Sequence, residues 1–120
     1  MPKAEKSNQV LVQLIADLKK RAHENEAPIW KDIANRLSKP NRSFAQVNIS
    51  SLARHAKKND VIVVPGKVLG VGSLEYPVTV GALSFSGSAE DKIKKAGGTS
   101  LSIKEMVNKY PSGKGVRIIS

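Results

Sequence analysis

Titratable side chains that could take part in catalysis are few and scattered in this 120-residue chain. Its two histidines, His23 and His55, stand far apart, and neither has a metal-binding spacing such as His-Glu-x-x-His. The adjacent carboxylates Glu90 and Asp91 come at the start of a predicted helix, where acidic residues commonly interact with the helix dipole. We therefore predict no enzymatic activity, no metal site and no cofactor.

Two glycine-rich segments, 66–72 and 113–115, contain a lysine but match no nucleotide-binding motif. The first lacks the order Gly-x-x-x-x-Gly-Lys-Ser/Thr, and Glu75 stands where a dinucleotide fingerprint has Gly or Ala. Because glycine lets a backbone approach a ligand closely, tight turns here would bring Lys67 or Lys114 near a phosphate. Simple turns with solvated lysines explain the same pattern equally well.

The charge balance is the unusual feature of the composition. The chain has 20 Lys and Arg against 10 Asp and Glu, a formal net charge of +10, which favours a polyanionic partner. The absence of cysteine excludes disulfides, cysteine-ligated zinc and thiol catalysis. Neither a secretory signal nor a run of about 18 apolar residues is present, so we expect a soluble, cytoplasmic protein without a membrane partner.

Basic residues are spread along the whole chain, with a net charge of +6 over residues 1–60 and +4 over residues 61–120. Both halves should therefore contact the partner, although any single cluster is more often a solvated face. Only five aromatic residues are present, so recognition of a folded RNA or a duplex by shape and backbone is favoured over base stacking. The candidate contact residues are Lys39, Asn41, Arg42, Asn48, Arg54, Lys57, Lys67, Lys92, Lys95 and Lys114.

Helical periodicity is typical of the first sixty residues. The stripe from Val10 to Leu18 predicts a helix capped by Ser7 or Asn8 and followed by a polar connection, His23 to Ala27. A second helix begins at Pro28 and stops before Pro40, and a third runs from about Ala45 or Asn48 to Lys58. The second helix should bury one face, formed by Trp30, Ile33, Ala34 and Leu37.

Strands alternate with short helices in residues 61–120. A strand from Val61 should end in a turn at Pro65 and Gly66, and a second strand spans Tyr76 to Phe85. We predict a helix from Ser86 or Ser88 to Ala96, another opened by the capping box Ser102 to Glu105, and a last strand over Val116 to Ile119. The fold class is thus α/β, with a helical region over 1–60 and a β/α region over 61–120 in one compact domain.

The chain closely resembles the archaeal and eukaryotic large-subunit ribosomal protein eighteen-e family, which is related to large-subunit ribosomal protein fifteen. The resemblance covers essentially the whole chain and is specific only as a combined pattern. In the second half it is carried by Val63–Gly72, Val78–Val80, Phe85-Ser86, Ala89, Lys92-Ile93, Ala96–Gly98 and Gly115–Ile119, and in the first half by Trp30, Leu37, Pro40, Arg42 and Val47-Asn48.

The resemblance implies an N-terminal helical region packed on a C-terminal irregular superhelix of β-β-α turns. It also implies a structural role in translation: binding and stabilising large-subunit ribosomal RNA within the subunit, beside neighbouring ribosomal proteins, without enzymatic activity or a small-molecule substrate. The short ends resemble an archaeal member. This chain has no long basic extension, so contact is expected from its globular surface.

A second hypothesis is a DNA-binding or chromatin-type protein that uses the three N-terminal helices as a helix-turn-helix variant. The predicted helix from Asn48 to Lys58 would then be the recognition helix, with Arg54 and His55 as base-reading side chains. An enzyme acting on a small molecule ranks last.

Overall fold

The computed structural model describes residues 2–40 and 44–120. Over these ranges the chain forms five helices and five strands. In chain order they are α1 (Pro2–Glu24), α2 (Pro28–Leu37), β1 (Ala45–Asn48), α3 (Ile49–His55), β2 (Val61–Leu69), β3 (Thr79–Phe85), α4 (Gly87–Lys95), β4 (Thr99–Ser102), α5 (Ile103–Lys109) and β5 (Val116–Ile118).

The described strands form one sheet in which every pairing is parallel. Its order is β1-β2-β3-β4, and β5 pairs with residues 61–63 of β2 while β1 pairs with residues 66–69. Since β3 occupies the other side of β2, β1 and β5 lie end to end along one side of that strand. The carboxyl ends of β1, β2 and β3 therefore meet at one edge of the sheet, which we call the carboxyl edge, and the amino ends of β2, β3, β4 and β5 meet at the opposite amino edge.

Helices cover both faces of the sheet. Successive side chains of a strand point to opposite faces: Ile62 and Val64 pack in a buried cluster with residues of α3 and α4, whereas Val63 packs in a second cluster with residues of α1, α2 and α5. The result is a flat three-layer molecule of 36 × 36 × 19 Å. The predicted α/β class, with helices first and strands and helices after, is confirmed.

Helices α2 and α4 follow their local signals closely. Helix α2 begins at Pro28 and buries the predicted face, in which Trp30 is completely inaccessible to solvent. The Ser86 side chain caps α4 by accepting a hydrogen bond from the Ala89 N–H, and Gly97 follows the helix with a φ of +87°. This left-handed conformation costs glycine little, so Gly97 ends the helix as predicted.

The predicted bounds of the first helix were wrong. Helix α1 begins at Pro2, so neither Ser7 nor Asn8 is its cap, and it continues to Glu24. Proline suits the first helical turn, and the lysine, alanine and glutamate residues after it have high helix propensity. The connection to α2 is therefore shorter than the predicted segment His23–Ala27.

The region from residue 45 to residue 69 differs most from the prediction. Ala45–Asn48 is a strand and not the first turn of a helix, while α3 begins after Asn48 and ends at His55, before Lys58. Pro65 and Gly66 form no turn but lie inside β2, with a shift of register between Val64 and Lys67. A Cβ atom on Gly66 would overlap the Ala45 carbonyl oxygen, so glycine is what lets the two backbones approach.

The other differences concern strand bounds. β3 begins at Thr79 rather than Tyr76 and lies between β2 and β4, so Pro77 precedes an interior strand. β4 was not predicted, and β5 ends at Ile118, one residue early. Short strands of four residues carry too little periodicity to be recognised before their partners are known.

The capping box at α5 is confirmed in both directions. The Ser102 hydroxyl accepts from the Glu105 N–H at 3.1 Å, and the Glu105 carboxylate accepts from the Ser102 N–H at 2.9 Å. These hydrogen bonds, first that from the Ser102 backbone and then that with its hydroxyl, lower the pKa of Glu105 below its ordinary value. The box therefore stabilises α5 most when Glu105 is ionised.

Glu105→Gln should test this charge. The folded-state pKa lies below the unfolded one, so the carboxylate contributes stability above the unfolded pKa and loses it as the pH falls through the folded pKa. The glutamine keeps an acceptor but no charge. We expect the thermal midpoint of the parent to exceed that of Glu105→Gln at neutral pH, and the difference between the two midpoints to vanish at about pH 2. Thermal midpoints at both pH values measure it, and a difference independent of pH would contradict it.

Candidate nucleic-acid interface

The described residues contain no group of three or more His, Asp and Glu side chains that could hold a metal ion. His23 and His55 are both exposed, and His55 Nδ1 lies 2.9 Å from the Ser51 carbonyl oxygen of its own helix. In the same part of the chain, no helix is long and apolar enough to cross a membrane. What the described surface offers to a partner is mainly its exposed basic side chains.

Three of the candidate residues lie toward the carboxyl edge. Asn48 ends β1 and occupies the N-cap position of α3, without a side-chain hydrogen bond to that helix. Lys67 is exposed near the end of β2, and Val68, which follows it, faces the cluster shared with α3 and α4. The Lys67 side chain therefore leaves the opposite face of the sheet. Lys92 is half-buried, and its ammonium donates to the carbonyl oxygens of Gly70 and Gly72 in the loop after β2.

Four further candidates lie toward the amino edge. Helix α3 runs back from the carboxyl edge to the start of β2, which places Arg54 and Lys57 there. Helix α4 likewise runs back from the end of β3 to the start of β4, which places Lys95 there. Lys114 lies two residues before β5, whose first residue, Val116, pairs with Val61. All four side chains are exposed.

The remaining candidates belong to neither group. Lys39 is exposed just after α2 and lines a shallow depression of about 580 Å³. Arg36 lies in the same depression, where it pairs with Asp32 at 3.0 Å and donates to the Ser120 hydroxyl. Asn41 and Arg42 lie outside the described residues. The structure thus distributes seven of the ten candidates over two opposite edges of the sheet instead of bringing them together in one patch.

The ion pairs leave most of these cations available to a partner. Of the four salt bridges among the described residues, only Lys95–Asp91 includes a candidate; it spans 3.0 Å, and the Lys95 side chain is 76% exposed. Such exposed pairs contribute about 0–1 kcal/mol. A phosphate would therefore compete for Lys95 at little cost.

Sequence reasoning missed a polar row across the sheet. Lys67 is directly beside Gln46 of β1 and Ser84 of β3, and all three side chains are exposed. Paired residues of neighbouring parallel strands share a face, so the row offers an ammonium, an amide and a hydroxyl in line. The row was hidden because Gln46 had been assigned to a helix. An extended reading of 45–48 would have revealed it.

Asp60 and Arg117 were also missed. The Asp60 carboxylate accepts from the Lys57 N–H at 2.8 Å and from Arg117 Nη1 at 3.0 Å. It thereby connects the end of α3, the start of β2 and β5 at the amino edge. Asp60 and Arg117 are 57 residues apart in sequence, so no local sequence signal could have predicted this ion pair.

Comparison with known proteins matches nearly the whole chain to one family. The family model described as ribosomal protein 60S L18 and 50S L18e matches residues 2–120. Proteins named large ribosomal subunit protein eL18 are similar to the chain in Archaeoglobus fulgidus (51% identical, covering 95% of this chain and 97% of the relative), Methanoregula boonei (49%, 96% and 95%) and Methanococcus maripaludis (44%, 100% and 100%).

The matched range, residues 2–120, contains all the helices and strands described above. The similarity is therefore not limited to one segment of the fold. The resemblance in the glycine-rich and helical segments is confirmed at the level of the complete chain. The chain belongs to the family of large-subunit ribosomal proteins described as 60S L18 and 50S L18e.

Proposed function

We propose that this protein is a structural constituent of the large ribosomal subunit in the cytoplasm, where it binds and stabilises folded ribosomal RNA through phosphate contacts. The observation that carries this proposal is the family match over residues 2–120. The net charge of +10 and the exposed cations at both edges of the sheet supply the chemistry. Neighbouring ribosomal proteins are further partners, and no enzymatic step or small-molecule substrate is involved.

The mechanism that we infer is that of a rigid spacer. Strand β2 has nine residues, so at about 3.3 Å per residue the two edges lie about 30 Å apart. Both faces of the sheet are covered by helices, and the large buried side chains hold the strands in fixed positions. Lysine and arginine at one edge would neutralise phosphates of one RNA segment, and those at the other edge would fix a second segment relative to it.

Contacts of this type orient RNA without reading its bases. Lysines on exposed turns and helix ends meet phosphate oxygens as point charges, and each contact releases counterions. Specificity would then come from the shape of the folded RNA, which must present phosphates to both edges at once. The few aromatic side chains support this, since Trp30 is fully buried and Tyr76 donates its hydroxyl to the carbonyls of Ala53 and Ala56.

The alternative of a helix-turn-helix protein finds less support. Strand β1 stands between α2 and α3, so the second and third helices are not joined by a short turn. Helix α3 has seven residues, and Ile49 and Leu52 are buried against the sheet. A recognition helix of that length offers Arg54 and His55 at its last turn, whereas helix-turn-helix proteins read bases mainly with the first residues of the recognition helix.

Filter binding at matched salt tests the proposal against this alternative. The full-length protein is titrated into archaeal large-subunit ribosomal RNA and into duplex DNA of random sequence. We expect tighter binding to the ribosomal RNA, by at least about tenfold, because only the folded RNA engages both edges. Equal affinity for the two nucleic acids would contradict a ribosomal role.

A further inference from the structure

The polar row, formed by Gln46, Lys67 and Ser84, contains the exposed positions of three neighbouring strands. The structure describes every residue of β1, β2 and β3, and each of these strands has a single exposed residue, the others being buried or half-buried. These three residues are the members of the row, and the register places Lys67 directly between the other two. The sheet therefore opens to solvent along one continuous line across three strands.

A shift of register between β2 and β3 determines which side chain lies beside Lys67. Before the shift, Val64 pairs with Ala82. An uninterrupted register would therefore place Lys67 opposite Phe85. The shift, which lies between Val64 and Lys67, places Ser84 there instead. Such irregularities commonly redirect side chains, and here a hydroxyl borders the ammonium in place of an aromatic ring.

The row lies just beyond the helices that cover its face of the sheet. Val63 and Leu83 pack in the cluster with α1, α2 and α5, whereas Lys67 and Ser84, further along the same strands, are exposed. Two open depressions on this face border the row. One, of about 580 Å³, is lined by Pro65 of β2, and the other, of about 960 Å³, is lined by Leu83 of β3. A polymer that crosses the row thus has open space on both sides.

The surroundings of the row are electropositive. Strands β1, β2 and β3 contain no Asp or Glu. Each depression is lined by one carboxylate that lies close to an arginine: Asp32 is 3.0 Å from Arg36, and Asp17 is 3.8 Å from Arg21. The other charged residues that line the two depressions are cations, namely Lys20, Lys39 and Lys104. The charge around the row is therefore complementary to a polyanion.

The side chains of the row have no partner among the described residues. None of them takes part in a side-chain hydrogen bond there, and the salt bridges of that part of the chain do not include Lys67. The row therefore presents an ammonium with three donors between an amide and a hydroxyl, each of which can both donate and accept.

We propose that the polar row binds one step of the RNA backbone, with the Lys67 ammonium on a phosphate and the Gln46 amide and Ser84 hydroxyl on the ribose 2′-hydroxyl groups beside it. Neighbouring strands place Gln46 and Ser84 about 5 Å to either side of Lys67. The 2′-hydroxyl both donates and accepts, and it is the group that distinguishes RNA from DNA. This proposal rests on the ribosomal RNA binding proposed above and adds Gln46 and Ser84 to its contacts.

Lysine acetylation of the full-length protein, read residue by residue by mass spectrometry, tests the site with archaeal large-subunit ribosomal RNA as the probe. A phosphate contact shields the ammonium, so modification of Lys67 should slow by at least about tenfold in the complex. Modification of Lys31, exposed on α2, should change by less than about twofold. Unchanged modification of Lys67 in a formed complex would overturn this inference alone, whereas the absence of any complex would overturn the proposed function with it.

Two variants separate the phosphate contact from the ribose contact. Lys67→Met should lower the slope of log K against log salt by about one unit. Ser84→Ala should weaken RNA binding by about threefold to tenfold without changing that slope, because a neutral hydrogen bond releases no counterion. Its affinity for duplex DNA, which lacks the 2′-hydroxyl, should stay within about twofold of the parent. Equal losses on RNA and DNA would overturn the ribose contact, and an unchanged slope in Lys67→Met would overturn the phosphate contact.

A matched pair of isosteric variants tests the position of Gln46. Gln46→Glu places a carboxylate beside Lys67, where it would pair with the ammonium and repel a phosphate. RNA binding should weaken by at least about tenfold. Gln9→Glu makes the same change of charge at an exposed position of α1 and should alter the affinity by less than about twofold. Equal losses in the two variants would show that the affinity follows net charge and would overturn the role of the row.

Discussion

Replacing Trp30 with alanine should lower the free energy of unfolding by about 3–5 kcal/mol, the largest loss of stability expected from a single truncation in this chain. Trp30 is the largest of the fully buried side chains and lies in the cluster that joins α1, α2 and α5 to the sheet. Its indole Nε1 donates to the Tyr110 carbonyl oxygen at 3.0 Å. Truncation would leave a cavity and remove one of the two hydrogen bonds that the Tyr110 carbonyl oxygen accepts, the other being from the Gly113 N–H at 2.9 Å.

Denaturant unfolding measures this loss, with Trp30→Phe as the matched variant. Phenylalanine keeps most of the buried ring but removes the donor, so it should cost less than alanine, about 1–3 kcal/mol. Native domains have unfolding free energies of about 5–15 kcal/mol. Over most of that range, Trp30→Ala should remain folded enough to show a measurable unfolding transition. A transition midpoint of Trp30→Ala equal to that of the parent would show that the side chain does not support the core.

Removing three cations from the amino edge should have the largest effect on RNA binding. In the combined variant Lys57→Gln, Lys95→Gln and Lys114→Gln, the slope of log K against log salt should fall by about 2–3 units, roughly one for each lost phosphate contact. Affinity near 50 mM salt should fall by about 100-fold to 1,000-fold. The three side chains are exposed and lie at or just after helix ends or in a turn, so the fold should tolerate the change.

A control with the same change of charge lies on the outer helical layer. Lys19 of α1, Lys31 of α2 and Lys104 of α5 are exposed residues within these helices, and none belongs to the strand starts and turns that form the amino edge. Their combined replacement by glutamine should change the salt slope by less than about one unit, since only long-range attraction is lost. An equal loss in both variants would mean that affinity follows net charge and not the edges of the sheet.

Local signals were sufficient for part of the fold. The proline at the start of α2, the serine cap of α4 and the capping box of α5 each act within one helical turn, and the structure confirms all three. Strand β1 has no such signal. Ala45–Asn48 is extended because it pairs with Gly66–Leu69, and that pairing in turn keeps Pro65 and Gly66 within a strand. Tertiary pairing here overrides local preference, which single-sequence reasoning cannot detect.

The candidate site was predictable in kind but not in arrangement. Charge and residue type were enough to identify exposed cations such as Lys57 and Lys114. Their division between two edges follows from the parallel order of the strands, which the sequence pattern left open. The hydrogen bonds from Lys92 to the carbonyl oxygens of Gly70 and Gly72 join residues about twenty positions apart. A lysine that the sequence suggests is free to bind a partner can thus be engaged inside the protein instead.

Co-sedimentation tests the central claim most directly. The tagged full-length protein is expressed in an archaeal host, and cell extract is fractionated on a sucrose gradient before and after a high-salt wash. A structural constituent that binds folded RNA at both edges should migrate with the large ribosomal subunit and stay with it through the wash. Recovery of the protein mainly at the top of the gradient, or with chromosomal DNA, would contradict a structural role in the large subunit.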